Sequence, residues 1–216
     1  MLDKKNTNIW VISRNLPLLE ISKEEEKISQ LLGNKQSIQF KQSRGYIRKV
    51  LSKLFNLSPL EVPLKATYGK PPELAKDYGY LSLSHCKDII LIGWSKAKIG
   101  IDIERKDRNI LSKKIANRFF NSYENEILNQ FKYQEYDFQV LKRWVIKESL
   151  IKWQRGKISF DLEKWSFDHN LNNARHPEFS NEVNIFFRKY KNWIISIATQ
   201  KKLIENENLS LYFHFQ

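Results

Sequence analysis

The sequence predicts an α+β protein in which helices combine with antiparallel sheets. Residues 35–55 and 141–153 repeat apolar side chains at the helical spacing of three and four. Residues 80–85 and 99–104 instead alternate apolar and polar side chains, as half-buried strands do. Near the end of the chain, the turn Tyr190-Lys191-Asn192 separates two apolar runs and predicts a hairpin. Helices and antiparallel strands therefore occur in both the early and the late part of the chain.

Length and composition indicate one large globular domain or two small ones. The chain has 216 residues, with 41% hydrophobic and 13% aromatic side chains, which argues against disorder. A brief cluster of charges at residues 107–109 is a plausible junction. We therefore predict an N-terminal half, residues 1–106, and a C-terminal half, residues 107–216, although no internal sequence repeat is evident. The net charge of +13 favours a polyanionic partner.

The cysteine count and the hydropathy pattern bear on location. The single cysteine, Cys86, excludes an intramolecular disulfide and a cysteine-based zinc site, and it fits a reducing compartment. The apolar run at residues 9–12 is too short for a signal peptide, and no run approaches the roughly 20 apolar residues of a membrane span. We expect a cytoplasmic protein with no membrane partner.

The N-terminal half is predicted to open with a strand at residues 8–13 and a helix capped by Ser22. The helix at residues 35–55 carries six basic side chains and no acid. Such a run is usually a solvated basic face. The alternative is that Arg44 and Arg48, one turn apart, clamp a phosphate, because guanidinium forks match phosphate oxygens.

The turn Gly69-Lys70-Pro71-Pro72 follows a predicted loop. Glycine permits a close approach to a ligand and the prolines stiffen the segment, so Lys70 suits an anion contact. Three strands between residues 80 and 104 are then predicted to form an antiparallel meander. This meander would bring Ser84 and His85 into the neighbourhood of the acids on its last strand.

The segment Ile99-Gly100-Ile101-Asp102-Ile103-Glu104 is the most informative strand. If its isoleucines face a core, Asp102 and Glu104 share the opposite face, where two close carboxylates repel each other. A hard divalent cation with oxygen ligands would relieve that repulsion. The alternative is a polar strand face that is simply in contact with water.

The C-terminal half is predicted to contain two short helices and a longer helix at residues 141–153. Ser112 is predicted to cap the first short helix, which would run to Phe120, and Ser122 to open the second, which would run to Phe131. On the longer helix, Glu148 lies among large apolar side chains, where a carboxylate needs a reason such as a metal. An ordinary surface salt bridge between Glu148 and Lys152 is the alternative. Predicted strands follow at residues 157–160, 164–167, 183–190, 193–199 and 211–215.

Four segments together resemble the motifs of the 4'-phosphopantetheinyl transferases. They are Gly69-Lys70-Pro71, Leu83-Ser84-His85, the acidic strand at residues 99–104 and the helical segment Trp144-Val145-Ile146-Lys147-Glu148-Ser149-Leu150-Ile151-Lys152. The likeness is to the larger, monomeric, surfactin-synthetase-activating type and runs from about residue 40 to residue 167. It implies two similar α/β halves related by a pseudo-twofold axis, with the active site at their interface.

The resemblance also implies an activity. The protein would transfer the 4'-phosphopantetheine group of coenzyme A to a serine of an apo acyl or peptidyl carrier protein. Asp102, Glu104 and Glu148 would hold Mg²⁺ on the pyrophosphate, and either Lys147 or Lys152 would join the phosphate contacts. The full set expected to contact coenzyme A is Arg44, Lys70, Ser84, His85, Asp102, Lys147 and Lys152.

The chemistry of the transfer indicates two catalytic residues, Glu148 and Lys152. Phosphoryl-type transfer needs charge neutralisation and alignment more than covalent help. Glu148 is the candidate base for the carrier serine, and Lys152, one turn further on, would steady the developing charge. The basic surface suits carrier proteins, which are typically acidic. We expect a monomer that does not act on nucleic acid.

Two other functions were weighed. A metal-dependent nuclease would use Asp88 and the run Glu104-Arg105-Lys106, and it would need Lys106 but give no role to Glu148. A non-enzymatic nucleic-acid-binding module would use the basic helix at residues 35–55, and it would show no dependence on Mg²⁺.

Overall fold

The computed structural model describes residues 3–215, without the side chains of residues 158 and 159. A short 3-10 turn at Pro59–Glu61 follows the second helix. In chain order the other elements are β1 (Thr7–Ser13), α1 (Lys23–Gln30), α2 (Asn34–Phe55), β2 (Leu64–Lys65), β3 (Glu73–Leu74), β4 (Tyr80–His85), β5 (Ile89–Ser95), β6 (Ile99–Arg105), α3 (Ser112–Phe119), α4 (Ser122–Leu128), α5 (Tyr133–Gln154), α6 (Ile158–Asp161), β7 (Ser166–Phe167), β8 (Asn173–Arg175), β9 (Val183–Tyr190), β10 (Trp193–Thr199) and β11 (Leu209–His214).

The described residues separate into two compact units, and each contains a sheet and helices. One unit comprises the chain up to Lys96 and the segment from Ile204 onward, and the other comprises Ala97–Leu203. The α+β class with antiparallel pairing is therefore confirmed, apart from one parallel strand pair. The division falls ten residues before the junction predicted between residues 106 and 107, because β6 pairs within the second unit. The final strand pairs with β1 and so joins the first unit.

In the first unit, a four-stranded sheet packs against α2. The strand order is β11-β1-β5-β4, in which β1 runs parallel to β11 and the other pairs are antiparallel. Every position of β5 is buried, which confirms the central strand expected from its apolar residues. The core forms where Ile47 and Leu51 of α2 meet Trp10 of β1 and Ile92 of β5.

The predicted start of α1 is confirmed by its cap. Ser22 accepts a hydrogen bond from the Glu25 backbone, and the Glu25 carboxylate accepts one from the Ser22 backbone. This reciprocal capping box begins α1. The second helix, α2, ends at Phe55, and the residue that follows it, Asn56, has a φ of 59° in the left-handed region.

In the second unit, five antiparallel strands in the order β6-β10-β9-β8-β7 carry α5 on one face. The hairpin of β9 and β10 is confirmed, with Tyr190 opposite Trp193. Apolar side chains of α5 pack into two neighbouring clusters, one around Trp165 and one around Ile194. Among the described residues, no helix has the length and apolarity that a membrane crossing requires.

Several local predictions were wrong. The predicted meander of residues 80–104 stops after two strands, because β6 pairs with β10 rather than with β5. The predicted strand at residues 157–160 is instead the helical turn α6, and Leu111 rather than Ser112 occupies the cap position of α3. The helix predicted from residue 141 begins at Tyr133, and β8 was not predicted.

Candidate functional site

A glycine sets the distance between the acidic strand and the helix of the second unit. A Cβ placed on Gly100 would lie 2.0 Å from the Ser149 carbonyl oxygen and 2.3 Å from the Trp153 backbone nitrogen. The backbones of β6 and α5 can therefore approach this closely only because Gly100 has no side chain. Since strand side chains alternate, Asp102 and Glu104 lie on the same face of β6 as Gly100, towards α5.

Asp102 links the strand to the helix. Its side chain is 5% exposed, and its Oδ1 atom accepts a hydrogen bond from Lys152 Nζ at 2.7 Å. Residues 102 and 152 are far apart in sequence, so only folding brings this carboxylate and ammonium together. The sequence had indicated a pairing of Lys152 with Glu148 as the ordinary alternative. The contact with Asp102 places Lys152 at the acidic strand.

Glu148 and Glu104 complete a cluster of three carboxylates around this ion pair. Burial raises the pKa of Glu148 to about 7, assisted by the negative charges of Asp102 and Glu104 and opposed by Lys152. Burial likewise raises the pKa of Glu104 to about 7, with the charge of Asp102 adding to the effect and Arg108 opposing it. Arg108 forms an ion pair with Glu104, four residues earlier. We call Asp102, Glu104 and Glu148, with Lys152, the acidic cluster.

The acidic cluster has the donor chemistry for a hard divalent cation. Its oxygens are the ligands that Mg²⁺ prefers. Burial is the main cause of the raised pKa values of Glu104 and Glu148, and the repulsion between carboxylates that adds to it would be relieved by a cation. Within the described residues, no group of three or more His, Cys, Asp or Glu side chains is arranged as a metal site. In proteins, Mg²⁺ commonly takes only a few protein ligands and completes its coordination with water and substrate phosphates.

Lys147 does not have the role expected of it. Its ammonium is fully buried and donates to the Leu162 carbonyl at 2.8 Å and the Trp165 carbonyl at 3.0 Å, and it lies 2.8 Å from Glu124 Oε2. An ammonium has three protons, and three protein acceptors receive them here. Lys147 therefore fastens α5 to α4 and to the segment after α6. Of the two lysines considered for a phosphate contact, Lys152 is the one at the acidic cluster.

The candidate arginines of the first unit are buried. Arg48 donates through Nε to Glu25 Oε2 at 2.7 Å and through Nη1 to three backbone carbonyls, including that of Val62. Arg44 donates to the Lys65 carbonyl at 3.0 Å, and burial lowers its pKa. The sequence had suggested that Arg44 and Arg48 clamp a phosphate together. The structure does not support this role for Arg48, because its guanidinium joins α2 to Glu25 of α1 and to the segment that follows α2.

The other predicted contacts of the first unit lie on β4 and on a turn. Gly69 has a φ of 68°, a left-handed conformation that favours glycine, and Lys70 follows it exposed to solvent. Ser84 is buried within β4, and His85 is exposed at the end of that strand. The His85 ring contacts the side-chain amide of Gln39 on α2.

Two residues near the predicted positions were missed from the sequence. Gln39 gave no signal, because its contact with His85 joins residues 46 positions apart. Arg108 could have been found, since it follows Glu104 by four residues and opposite charges at that spacing often pair.

Comparisons with known proteins bear on these arrangements. Residues 98–205, half of the chain, match the family described as the 4'-phosphopantetheinyl transferase superfamily. The 4'-phosphopantetheinyl transferases ffp and Sfp of Bacillus subtilis are each 30% identical over 124 residues, covering 56% of this chain and 53% of theirs. The human L-aminoadipate-semialdehyde dehydrogenase-phosphopantetheinyl transferase is 26% identical over 203 residues, covering 85% of this chain and 66% of its own.

The chain thus spans about half the length of the two bacterial relatives that it matches. The region that matches the family contains all four residues of the acidic cluster, and all four lie in the second unit. The resemblance inferred from the motifs, including its Sfp-like character, is confirmed. The chain belongs to the 4'-phosphopantetheinyl transferase superfamily.

Proposed function

We propose that the protein transfers the 4'-phosphopantetheine group of coenzyme A to a serine of an apo acyl or peptidyl carrier protein. The products are the holo carrier protein and 3',5'-ADP, and the reaction depends on Mg²⁺. Family membership supports the reaction class. The observation that carries the proposal is the acidic cluster, in which Asp102 and Lys152 are in contact beside two carboxyls of raised pKa.

The reaction requires a proton acceptor for the carrier serine. The serine oxygen forms a bond to the phosphorus that bears the pantetheine arm, and the bond from that phosphorus to the oxygen of 3',5'-ADP breaks. Glu148 accepts the serine proton, directly or through water. Burial raises the pKa of Glu148 to about 7, and a base with a pKa near the working pH combines availability with basicity.

Asp102, Glu104 and Glu148 would hold the Mg²⁺ ion. When bound, the ion neutralises negative charge on the pyrophosphate and on the leaving group. The protein itself supplies the excess of carboxylate that favours a cation at this place. Lys152 orients Asp102 through their hydrogen bond and steadies the charge that develops on the phosphate oxygens.

The first unit would supply the remaining contacts to coenzyme A. Lys70, exposed on a turn stiffened by prolines, would bind a phosphate, and Ser84 and His85 would add hydrogen bonds. Arg44, which the resemblance assigned to the end of the nucleotide that carries the 3'-phosphate, is buried and donates to the Lys65 carbonyl, so this proposal gives it no contact with the nucleotide. In this proposal the halves are similar, related by a pseudo-twofold axis, and the active site lies at their interface.

The partners follow from charge and from the reaction. A net charge of +13 suits coenzyme A and an acidic carrier protein, and it predicts an association rate that falls with added salt. The proposal further comprises a cytoplasmic monomer without nucleic-acid or membrane partners. A nucleic-acid-binding role for α2 loses support, because Arg44 and Arg48, two of its basic residues, are buried within the first unit.

The test is to weigh carrier proteins after the reaction. The full chain is incubated with coenzyme A, Mg²⁺ and a panel of fatty-acid, polyketide and peptide apo carriers, and each carrier is analysed by mass spectrometry. We expect at least one carrier to gain the mass of the phosphopantetheine arm. A carrier with its modified serine changed to alanine, and a reaction with chelator, are the controls. No gain on any carrier, with Mg²⁺ or Mn²⁺ present, would overturn the proposal.

A further inference from the structure

A cavity of about 440 Å³ lies in the first unit, between α2 and the strands β1 and β11. Its lining shares no residue with the acidic cluster or with the proposed coenzyme A contacts. Its walls are mainly apolar and include Trp10, Ile12, Val50 and Tyr212. The volume lies within the range of about 300–1,000 Å³ that is typical of small-molecule sites.

The walls of this cavity are fixed by the fold. Trp10 and Tyr212 are neighbours in the parallel pair of β1 and β11, and their rings stack with centroids 5.7 Å apart. The Tyr212 hydroxyl donates to Asn8 Oδ1 at 3.2 Å, and the Tyr46 hydroxyl donates to the Pro17 carbonyl at 3.0 Å. Because both hydroxyls bond within the protein, the aromatic side chains offer the cavity their apolar rings.

The mouth of the cavity is basic. Lys49 and Lys53, one turn apart on α2, and His214 at the end of β11 are all exposed lining residues. None of the described residues that line the cavity is acidic. Burial lowers the pKa of His214, and the positive charges of Lys53 and Lys49 add to the effect, so the three groups share one electrostatic field. An anion at this place would relieve their repulsion.

We propose that this cavity binds a small monocarboxylic acid with one apolar chain, the class of the medium-chain fatty acids. The chain would occupy the space beside Trp10 and Val50, and the carboxylate would bind Lys49 and Lys53 at the mouth. The confined volume favours a single free acid over a two-chain membrane lipid, which offers the same chemistry at a bilayer. This proposal is independent of the transfer reaction.

Isothermal titration calorimetry with the full chain tests this proposal. The probes are decanoate, below its micelle-forming concentration, and decanol, which has the same chain without the charge. We expect one saturable site for decanoate and an affinity for decanol that is weaker by about tenfold or more, since a bond between charged groups is lost. Anionic phospholipid vesicles form a third arm.

Paired variants separate the mouth from general charge effects. Changing Lys49 and Lys53 together to alanine should weaken decanoate binding about tenfold or more and leave decanol unchanged. Lys23 and Lys76 are exposed lysines outside the cavity lining. Changing both to alanine removes the same amount of charge and should alter neither the decanoate affinity nor the decanol affinity. Val50→Trp should fill the cavity and abolish binding of both probes, with folding checked by circular dichroism.

Several results would overturn this proposal. They are an absence of saturable decanoate binding, equal losses in the two lysine double variants, and decanol binding as tight as decanoate. Association with vesicles but not with free decanoate would also overturn it. If Val50→Trp does not fold, the lysine variants and the decanol comparison still decide the question.

Discussion

The two units each contain a buried charge cluster, and the clusters differ in sign. In the first unit, the single carboxylate Glu25 lies 2.7 Å from Arg48 and 3.9 Å from Arg44. In the second unit, the ammonium of Lys152 contacts Asp102, and the carboxyls of Glu104 and Glu148 interact electrostatically with this pair. Arg108 forms an ion pair with Glu104. The first cluster has more cations than acids, and backbone carbonyls take further guanidinium hydrogen bonds.

This difference separates a structural cluster from a functional one. The cations around Glu25 connect α1, α2 and the segment after them, and they leave no excess of negative charge. The acidic cluster retains such an excess, which burial makes costly and which raises the pKa of two of its members. Removing a cation that compensates Glu25 should therefore destabilise the first unit, whereas removing a carboxylate of the acidic cluster should lower activity without loss of stability.

The largest expected effect is on turnover in Glu148→Gln. Loss of a general base lowers rates by roughly 10²–10⁴-fold, so phosphopantetheine transfer, measured by mass spectrometry, should fall by that factor. The midpoint of urea unfolding should not decrease, because the change removes a carboxylate that its neighbours repel. Glu126→Gln, at an exposed position of α4, is the matched control and should change neither quantity. Retained turnover would remove Glu148 from the mechanism.

The next effect is on stability in Arg48→Met. The change leaves Glu25 buried with much of its compensation removed, which should lower the free energy of unfolding by about 3–5 kcal/mol. Urea denaturation measures it. Lys41→Met breaks the partly exposed pair with Glu26, which joins the same two helices, and should cost less than about 1 kcal/mol. Equal costs for the two variants would contradict a special structural role for Arg48.

A smaller effect is expected for Gly100→Ala, which adds a methyl group where β6 and α5 are closest. The helix must move, at a cost of about 1–3 kcal/mol, and turnover should fall because the distance between Asp102 and Glu148 changes. Gly33→Ala is the control, since its added carbon would meet its nearest atom at an ordinary 3.9 Å. Unchanged turnover in a folded Gly100→Ala protein would show that the close packing does not position the cluster.

The smallest effect concerns pH. In the folded protein the pKa of Glu104 and of Glu148 is about 7, above the ordinary value of 4.5. Between these pH values the folded protein holds protons that the unfolded chain has released. The free energy of unfolding therefore falls as pH rises from about 4.5 to about 7, by roughly 1–2 kcal/mol after allowance for solvent.

Glu104→Gln/Glu148→Gln isolates this contribution, because other titrating groups are common to both proteins. The variant should lack this part of the pH dependence in urea denaturation. Added Mg²⁺ should raise the stability of the unchanged protein above pH 7 and leave the variant unaffected. Parallel pH profiles for the two proteins would show that the carboxyls are not coupled as described.

Local patterns identified much of the fold and part of the site. Period-two alternation located β4 and β6, helical periodicity located α2 and the second half of α5, and the turn at residues 190–192 located the hairpin. The same patterns fail for short elements. The four residues of α6 and the three of β8 contain too few repeats to establish a period.

The site residues show the same division. Alternation along residues 99–104 placed Asp102 and Glu104 on one face, and an acid among apolar neighbours drew attention to Glu148. Lys147 precedes Glu148 by one residue, and a helix turns by about 100° over that step, so the two side chains enter different surroundings. Nothing adjacent in sequence shows that Lys147 meets Glu124 and the carbonyls of residues 162 and 165.

The amino-acid order was sufficient for the family, for the residue types of the acidic cluster and for the faces on which they lie. The partner of β6, the burial of Arg48 and Lys147, and the contact of Asp102 with Lys152 were established by the folded chain. The physical reason is the separation along the chain over which each kind of interaction acts. Periodicity arises from the backbone within one element, whereas strand pairing and the burial of a charge depend on residues tens of positions away, whose proximity is created by packing.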